Sequence, residues 1–283
     1  MNTPTNREGA SARELLDFYV AGGVDAAVGD VAVDRLAPAQ ASPSEPATTA
    51  RQTPPPPQLR PELPPPGLAL TPAPASPDIA VMTARETARS AASLDELREL
   101  LTRFEGCALR TTAKQLVFAD GNPQARVMFV GEAPGREEDL EGLPFVGRSG
   151  QLLDRMLAAI GLDRSSAYIA NVIPWRPPGN RTPTPQETSI CLPFTRRQVE
   201  LADPDVLVCL GSPAAQALLE AKEGIMKTRG RWFSYHTGTR EIRAIATFHP
   251  AYLLRQPLQK RLAWRDFLAV KQALSQQMTP SSR

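Results

Sequence analysis

Two rhythms of hydrophobic and polar positions run through the C-terminal two thirds of this chain. Short apolar runs at Val127–Val130, Ala167–Val172, Val206–Leu210 and Ile242–Phe248 have the length and composition of buried strands. Helical spacing follows or precedes each of them. Leu94–Phe104 places Leu94, Leu97, Leu100 and Leu101 on one side, and helices are predicted over 150–160, Gln186–Leu201, Pro213–Leu219 and Gln259–Leu274. Strands that alternate with helices build a parallel sheet covered on both faces. The pattern predicts an α/β fold over residues 94–275, a three-layer α/β/α sandwich with a four-stranded parallel central sheet.

The rhythm is absent further upstream. Of the 29 prolines in the chain, fourteen fall between Pro38 and Pro77, in Ala/Pro/Ser/Thr-rich sequence with few large apolar residues. Such a stretch buries too little to offset the entropy of ordering itself. Residues 34–82 are therefore expected to be a disordered Pro/Ala-rich linker with polyproline II character. Within residues 1–33, Ser11–Val20 predicts a short amphipathic helix before Gly22-Gly23. A helix on an extended arm has the form of a docking element for a protein partner, and equally that of a terminal helix without one. No segment has signal-peptide character or approaches the ~18 apolar residues of a membrane span.

Composition changes the picture little: 42% hydrophobic residues suffice for a full core, and the net charge is only +2. Distribution says more. Nine basic residues (Lys227, Arg229, Arg231, Arg240, Arg243, Arg255, Lys260, Arg261, Arg265) and one acidic residue, Glu241, lie between Met226 and Arg265. A basic C-terminal third suits a surface that follows phosphates.

Candidate chemistry gathers where strands end. Val127–Val130 runs into the turn Gly131-Glu132-Ala133-Pro134-Gly135, and Ile242–Phe248 into His249-Pro250. Ligands collect at strand C-termini in open α/β sheets. Phe145 stands in the Gly/Pro-rich loop Leu143–Gly147, a placement that suits a stacking surface as well as a core position. A phosphate-cradling loop at Gly131–Gly135 is disfavoured, because neither G-x-x-x-x-G-K-[ST] nor G-x-G-x-x-G occurs.

Taken together, VMFVGEAPGREEDLEGLPFVGRSGQLLD at 127–154, Asn171 at its strand end, RPPGN at 176–180 and HPAYLLR at 249–255 resemble the uracil-DNA glycosylase superfamily, in its type-4 (iron–sulfur) branch. The resemblance covers about Leu97 to Leu274 and implies the same sandwich. It also implies hydrolysis of the N-glycosidic bond of uracil in DNA, leaving an abasic site that starts base excision repair. A base inside a duplex is unreachable, so such an enzyme flips it into a pocket.

The roles implied fall on named residues. Phe145 would stack on uracil, and Asn171 would read its edge, since an amide can accept from N3–H and donate to O4. His249, one of two histidines, would donate to the O2 that gains charge as the bond breaks. Glu132 and Glu138 would supply carboxylates for the attacking water, with Asn180 as a partner of Glu132 in the uracil site. Leu254 would fill the gap left by the flipped base, and Arg255 would meet phosphate. The competing expectation is a DNA-binding relative that kept the fold and lost activity.

In one respect the chain departs from that family. The branch binds a [4Fe–4S] cluster through four cysteines, and the matching positions here read Phe104, Cys107, Trp175 and Cys191. Two thiols remain, no C-x-x-C exists, and a third cysteine, Cys209, lies within a strand. No metal or cofactor is therefore expected, with Phe104 and Trp175 filling the volume. Three cysteines also argue against a disulfide framework and for a reducing cytoplasm. A monomer acting on uracil-containing DNA, away from membranes, completes the expectation.

Overall fold

The computed structural model describes residues 77–276. The amphipathic helix expected at Ser11–Val20 and most of the expected linker lie outside them. The elements are α1 (Pro77–Ser90), α2 (Leu94–Arg103), α3 (Leu109–Thr112), β1 (Asp120–Gly121), β2 (Val127–Gly131), α4 (Arg136–Glu141), α5 (Arg148–Ala159) and β3 (Tyr168–Asn171). They continue with α6 (Pro185–Ala202), β4 (Val206–Leu210), α7 (Ser212–Leu219), α8 (Ile225–Thr228), β5 (Trp232–His236), β6 (Glu241–Thr247), α9 (Pro250–Arg255) and α10 (Lys260–Gln276).

The strands form one sheet in the order β1-β3-β2-β4-β6-β5. The four expected strands, β3, β2, β4 and β6, are its parallel centre. Two antiparallel edge strands were not foreseen: two-residue β1 beside β3 and β5 beside β6. β1 is too short for any periodicity. β5 buries Tyr235 while Ser234 and His236 stay exposed, a half-wet edge without an apolar run.

Period-two alternation divides the core between the layers. Met128, Val130, Leu207, Cys209, Ala244 and Ala246 face the core shared with α1, α2, α6 and α7. Val127, Phe129, Val206, Val208, Leu210 and Ile245 face α5 and α10, where the Phe129 and Phe267 rings stack with centroids 5.8 Å apart. This is the expected three-layer sandwich.

The N-terminal boundary differs from expectation. Residues 77–82 are not linker: they open α1, which packs on α6. The buried positions of α1 are Ala80, Ala84 and Ala88, and Ala91 follows them. An alanine stripe at i, i+4, i+8 lets two helices approach closely, yet in sequence it is indistinguishable from Ala-rich linker. Arg197 on α6 closes the joint by donating from Nε and Nη2 to the Ala91 carbonyl at 3.0 and 2.6 Å.

Topology places the site. From β2 the chain moves to β3 on one side, then crosses to β4 on the other. The crevice this reversal opens lies beyond the C-terminus of β2, at the Gly131–Gly135 turn.

Candidate active site

A cleft of about 1130 Å³ opens at that point, and all eight expected site residues line it: Glu132, Glu138, Phe145, Asn171, Asn180, His249, Leu254 and Arg255. They come from the ends of three strands (β2, β3 and β6), from helices α4 and α9, and from the loops that carry Phe145 and Asn180. No helix among the described residues is long and apolar enough to cross a membrane.

Asn171 ends β3 and is buried, 4% exposed. Its Oδ1 has no hydrogen-bond partner. A buried acceptor left unpaired costs ~1–3 kcal/mol, so this atom is open to a donor that enters the cleft. Two neighbours crowd that atom. A Cβ on Gly131 would sit 2.5 Å from Asn171 Oδ1 and 2.5 Å from Phe145 Cζ. Glycine at the end of β2 is what allows amide and ring to meet over the strand terminus.

The ring of Phe145 stacks against His249, with centroids 5.4 Å apart and planes inclined by 30°. Its backbone is left-handed, with φ at 56°. For a bulky aromatic that conformation is strained, at ~1–3 kcal/mol, and persists only when the surroundings over-determine it.

His249 caps α9 and uses its side chain to do so. Nδ1 accepts from the Ala251 N–H at 3.1 Å. Burial, then the nearby Arg255 charge, lowers its pKa to about 4, so the imidazole is neutral at neutral pH. With Nδ1 accepting, the single proton belongs on Nε2, which is therefore a donor. Gly211, at the end of β4, keeps the space beside the ring: a Cβ there would lie 3.1 Å from His249 Cβ.

The two glutamates differ. Glu132 is half-buried, and burial raises its carboxyl above the ordinary value. Among the described residues no hydrogen bond occupies that carboxylate. Glu138, expected as a second catalytic carboxylate, is 6% exposed and fully engaged. Its Oε2 accepts from Gly135 N at 2.9 Å, and its Oε1 from Val146 N at 3.1 Å and Gly147 N at 3.0 Å. With its oxygens taken by three backbone N–H groups, it ties the Gly131–Gly135 turn to the Phe145 loop. Where the sequence led one to expect a second catalytic carboxylate, the structure shows a carboxylate engaged with backbone.

Asn180 also departs from expectation. It is exposed, with φ at 55°, and its Oδ1 accepts from Arg176 Nε at 2.7 Å instead of meeting Glu132. The preceding Gly179, with φ at 64°, turns the loop outward to the rim of the cleft.

Leu254 and Arg255 project from α9 at the mouth, and Leu254 is 38% exposed. The basic stretch around them is narrower than its sequence suggests. Arg229 pairs with buried Asp266, Arg240 with Asp203 and Asp205, and Lys227 and Arg231 with Glu223. Arg243 lies over the Trp232 ring, 4.0 Å from its centroid. Among the described residues, Arg255, Lys260, Arg261 and Arg265 carry no ion pair, so phosphate attraction contracts to α9 and the start of α10.

The four positions matching cluster ligands converge as expected, but not as a ligand set. Phe104, Cys107, Trp175 and Cys191 share one buried core. Cys191 Sγ donates to Cys107 Sγ at 3.8 Å, and Phe104 meets Phe194 edge-on at 4.9 Å. Phenyl offers no ligand atom and indole only a donor. Two thiols cannot replace the four that hold a [4Fe–4S] cluster, so the residues do not fit it. No group of three or more His, Cys, Asp or Glu side chains suited to a metal occurs among the described residues. Cys209 is a buried strand residue, and burial pushes its thiol pKa well up.

Comparison with known proteins gives the family. The family model of the Uracil DNA glycosylase superfamily matches residues 118–268. A type-4 uracil-DNA glycosylase of Archaeoglobus fulgidus is 41% identical over 179 residues, 62% of this chain and 90% of that protein. One from Thermotoga maritima is 42% identical over 166 residues, covering 57% and 85%. One from Saccharolobus solfataricus is 37% identical over 188 residues, covering 65% and 87%.

Proposed function

The chain belongs to the uracil-DNA glycosylase superfamily, and from that premise we propose how its cleft removes uracil from DNA. The protein is a uracil-DNA glycosylase, a hydrolase of N-glycosyl bonds in DNA. The observation that carries the assignment of its site is the orphaned Oδ1 of Asn171, buried beside the Phe145 ring.

Uracil presents an N3–H donor flanked by two carbonyl acceptors. An Asn171 amide that accepts from N3–H and donates to O4 matches that edge, whereas cytosine presents an unprotonated N3 beside an amino group. Mismatched groups in so buried a site stay unpaired, which is a strong basis for rejection. Phe145 gives the flipped base a stacking face.

As the glycosidic bond breaks, its electron pair moves onto the base, and negative charge spreads to O2. The Nε2–H of neutral His249 is the donor for that charge. A neutral imidazole suits the task, since its proton is held and not released. The sugar left behind is electron-poor at C1′. Glu132, whose carboxylate has no hydrogen-bond partner among the described residues, stabilises that charge and takes the proton of the attacking water. Glu138 acts through the backbone it holds. Leu254 fills the gap in the duplex, while Arg255, Lys260, Arg261 and Arg265 meet phosphates.

No step uses a metal, and the Phe104–Trp175 region is read as packing that replaces the cluster's structural role. DNA is the partner this chemistry needs. A protein partner for residues 11–20, a monomeric state and a cytoplasmic location remain part of the same proposal.

The test is a uracil-containing oligonucleotide incubated with the protein and no added metal. Free uracil and an alkali-sensitive, otherwise intact backbone are expected. Binding without release, at high enzyme on single and double strands, would replace this reading with that of an inactive DNA-binding relative.

A further inference from the structure

Arg164 holds no place in the chemistry above, yet it binds the backbone on which Phe145 depends. It stands in the loop after α5 and is about three quarters buried, with 26% side-chain exposure. Its Nη1 donates to the Pro144 carbonyl at 3.1 Å and its Nη2 to the Phe145 carbonyl. Two carboxylates fix the guanidinium: Asp154 on α5 accepts from Nε at 2.9 Å, and Asp120 on β1 accepts from Nη1.

On the other side of the same residue, Glu138 accepts from the N–H groups of Val146 and Gly147. Phe145 thus has its own carbonyl and the preceding one held by a cation, and the next two amides held by an anion. Gly150 completes the enclosure, because a Cβ there would collide with the Phe145 carbonyl. This is the over-determination that a left-handed phenylalanine requires. It also explains the unforeseen edge strand: β1 carries Asp120 to the guanidinium, and Gly121 packs against the Arg164 backbone carbonyl, 2.6 Å from where a Cβ would sit.

We propose that Arg164, oriented by Asp120 and Asp154, is a positioning residue that holds Phe145 in its base-stacking conformation. The inference rests on the uracil-excision reading and deepens it. Lys cannot substitute fully, because a single ammonium lacks the planar fork that reaches two carbonyls and two carboxylates at once.

The test is a double-mutant cycle on uracil release under single-turnover conditions. Arg164→Ala is expected to slow excision by roughly 10- to 100-fold, the scale of a small misplacement in an active site. In a Phe145→Ala background the same change should cost less than about threefold, because its route of action is gone. Arg164→Lys should fall between wild type and Arg164→Ala. Equal losses in both backgrounds, or no loss in the first, overturn the proposal.

Amide hydrogen exchange supplies a readout independent of activity. In Arg164→Ala the Val146 and Gly147 amides should exchange faster while β2 stays protected, and unchanged exchange at the loop overturns the clamp. Should Arg164→Ala fail to fold, Arg164→Lys and Asp120→Asn carry the same comparison. Wild-type protein that releases no uracil, with exchange behaving as expected, would retire the functional reading and leave the clamp standing.

Discussion

The Phe145 ring lies against the His249 imidazole, 5.4 Å between centroids, while Ala251 N–H holds Nδ1 at 3.1 Å. Stacking and capping leave the imidazole one polar atom without a partner among the described residues, Nε2, a donor on a residue that lines the cleft. His249→Ala should therefore slow uracil release by ~100-fold or more with the fold retained, since the lost hydrogen bond matters mainly in the transition state. Single-turnover rates check it, and a loss of less than about threefold would remove His249 from the chemistry.

pH dependence separates the two titrating groups. Burial raises the Glu132 pKa, so its carboxylate gains a proton at a higher pH than an ordinary glutamate. His249, lowered to about 4, gains its proton well below the ordinary histidine range, so the first loss of activity on acidification is ascribed to Glu132. Excision should fall on acidification in a limb that belongs to Glu132, above the ordinary glutamate range. In Glu132→Gln the rate should be lower and that limb should vanish. A limb that persists unchanged in Glu132→Gln would assign it to another group.

Purified protein should be colourless and free of iron after anaerobic preparation, because two ligand positions are Phe104 and Trp175. Replacing Cys107 and Cys191 together with Ala should leave uracil excision within about threefold of wild type, at a modest cost in stability from lost packing. Iron, sulfide and a visible spectrum check the first statement. Stoichiometric iron would mean that ligands come from outside these four positions.

Truncation locates the true start of the domain. Removing residues 1–76 should leave excision unchanged, whereas removing 1–90 should lower the melting temperature clearly. The second deletion takes away the Ala80, Ala84 and Ala88 stripe that covers α6. Equal melting temperatures for both truncations would show that α1 contributes nothing to the core.

Sequence and structure agree most where one physical signal dominates. The β2 and β4 strands are buried on both faces, so they read as unbroken apolar runs. The residues that the motif resemblance marked, far apart in sequence, all line one cleft. What stayed hidden depends on tertiary pairing. The alanine stripe of α1 looks like linker, and β1 exists only through its pairing with β3. The three backbone donors that hold Glu138 also had no local signal in the sequence. The basic stretch loses Arg229 to Asp266 and Arg240 to Asp203, partners distant in sequence or just beyond its end. Arg164 gave no local signal, being one charge in a loop whose four partners come from three other segments.

The assignment of uracil recognition to the Asn171 amide meets its most direct test in one comparison. Release of uracil from matched oligonucleotides is measured for wild type and Asn171→Asp, with cytosine as the second base. Wild type should release uracil and leave cytosine. Asn171→Asp should lose uracil release by ~100-fold or more, because a carboxylate repels the O4 edge and leaves it unpaired. Equal uracil release by the two proteins would contradict the account and place the edge reader elsewhere in the cleft.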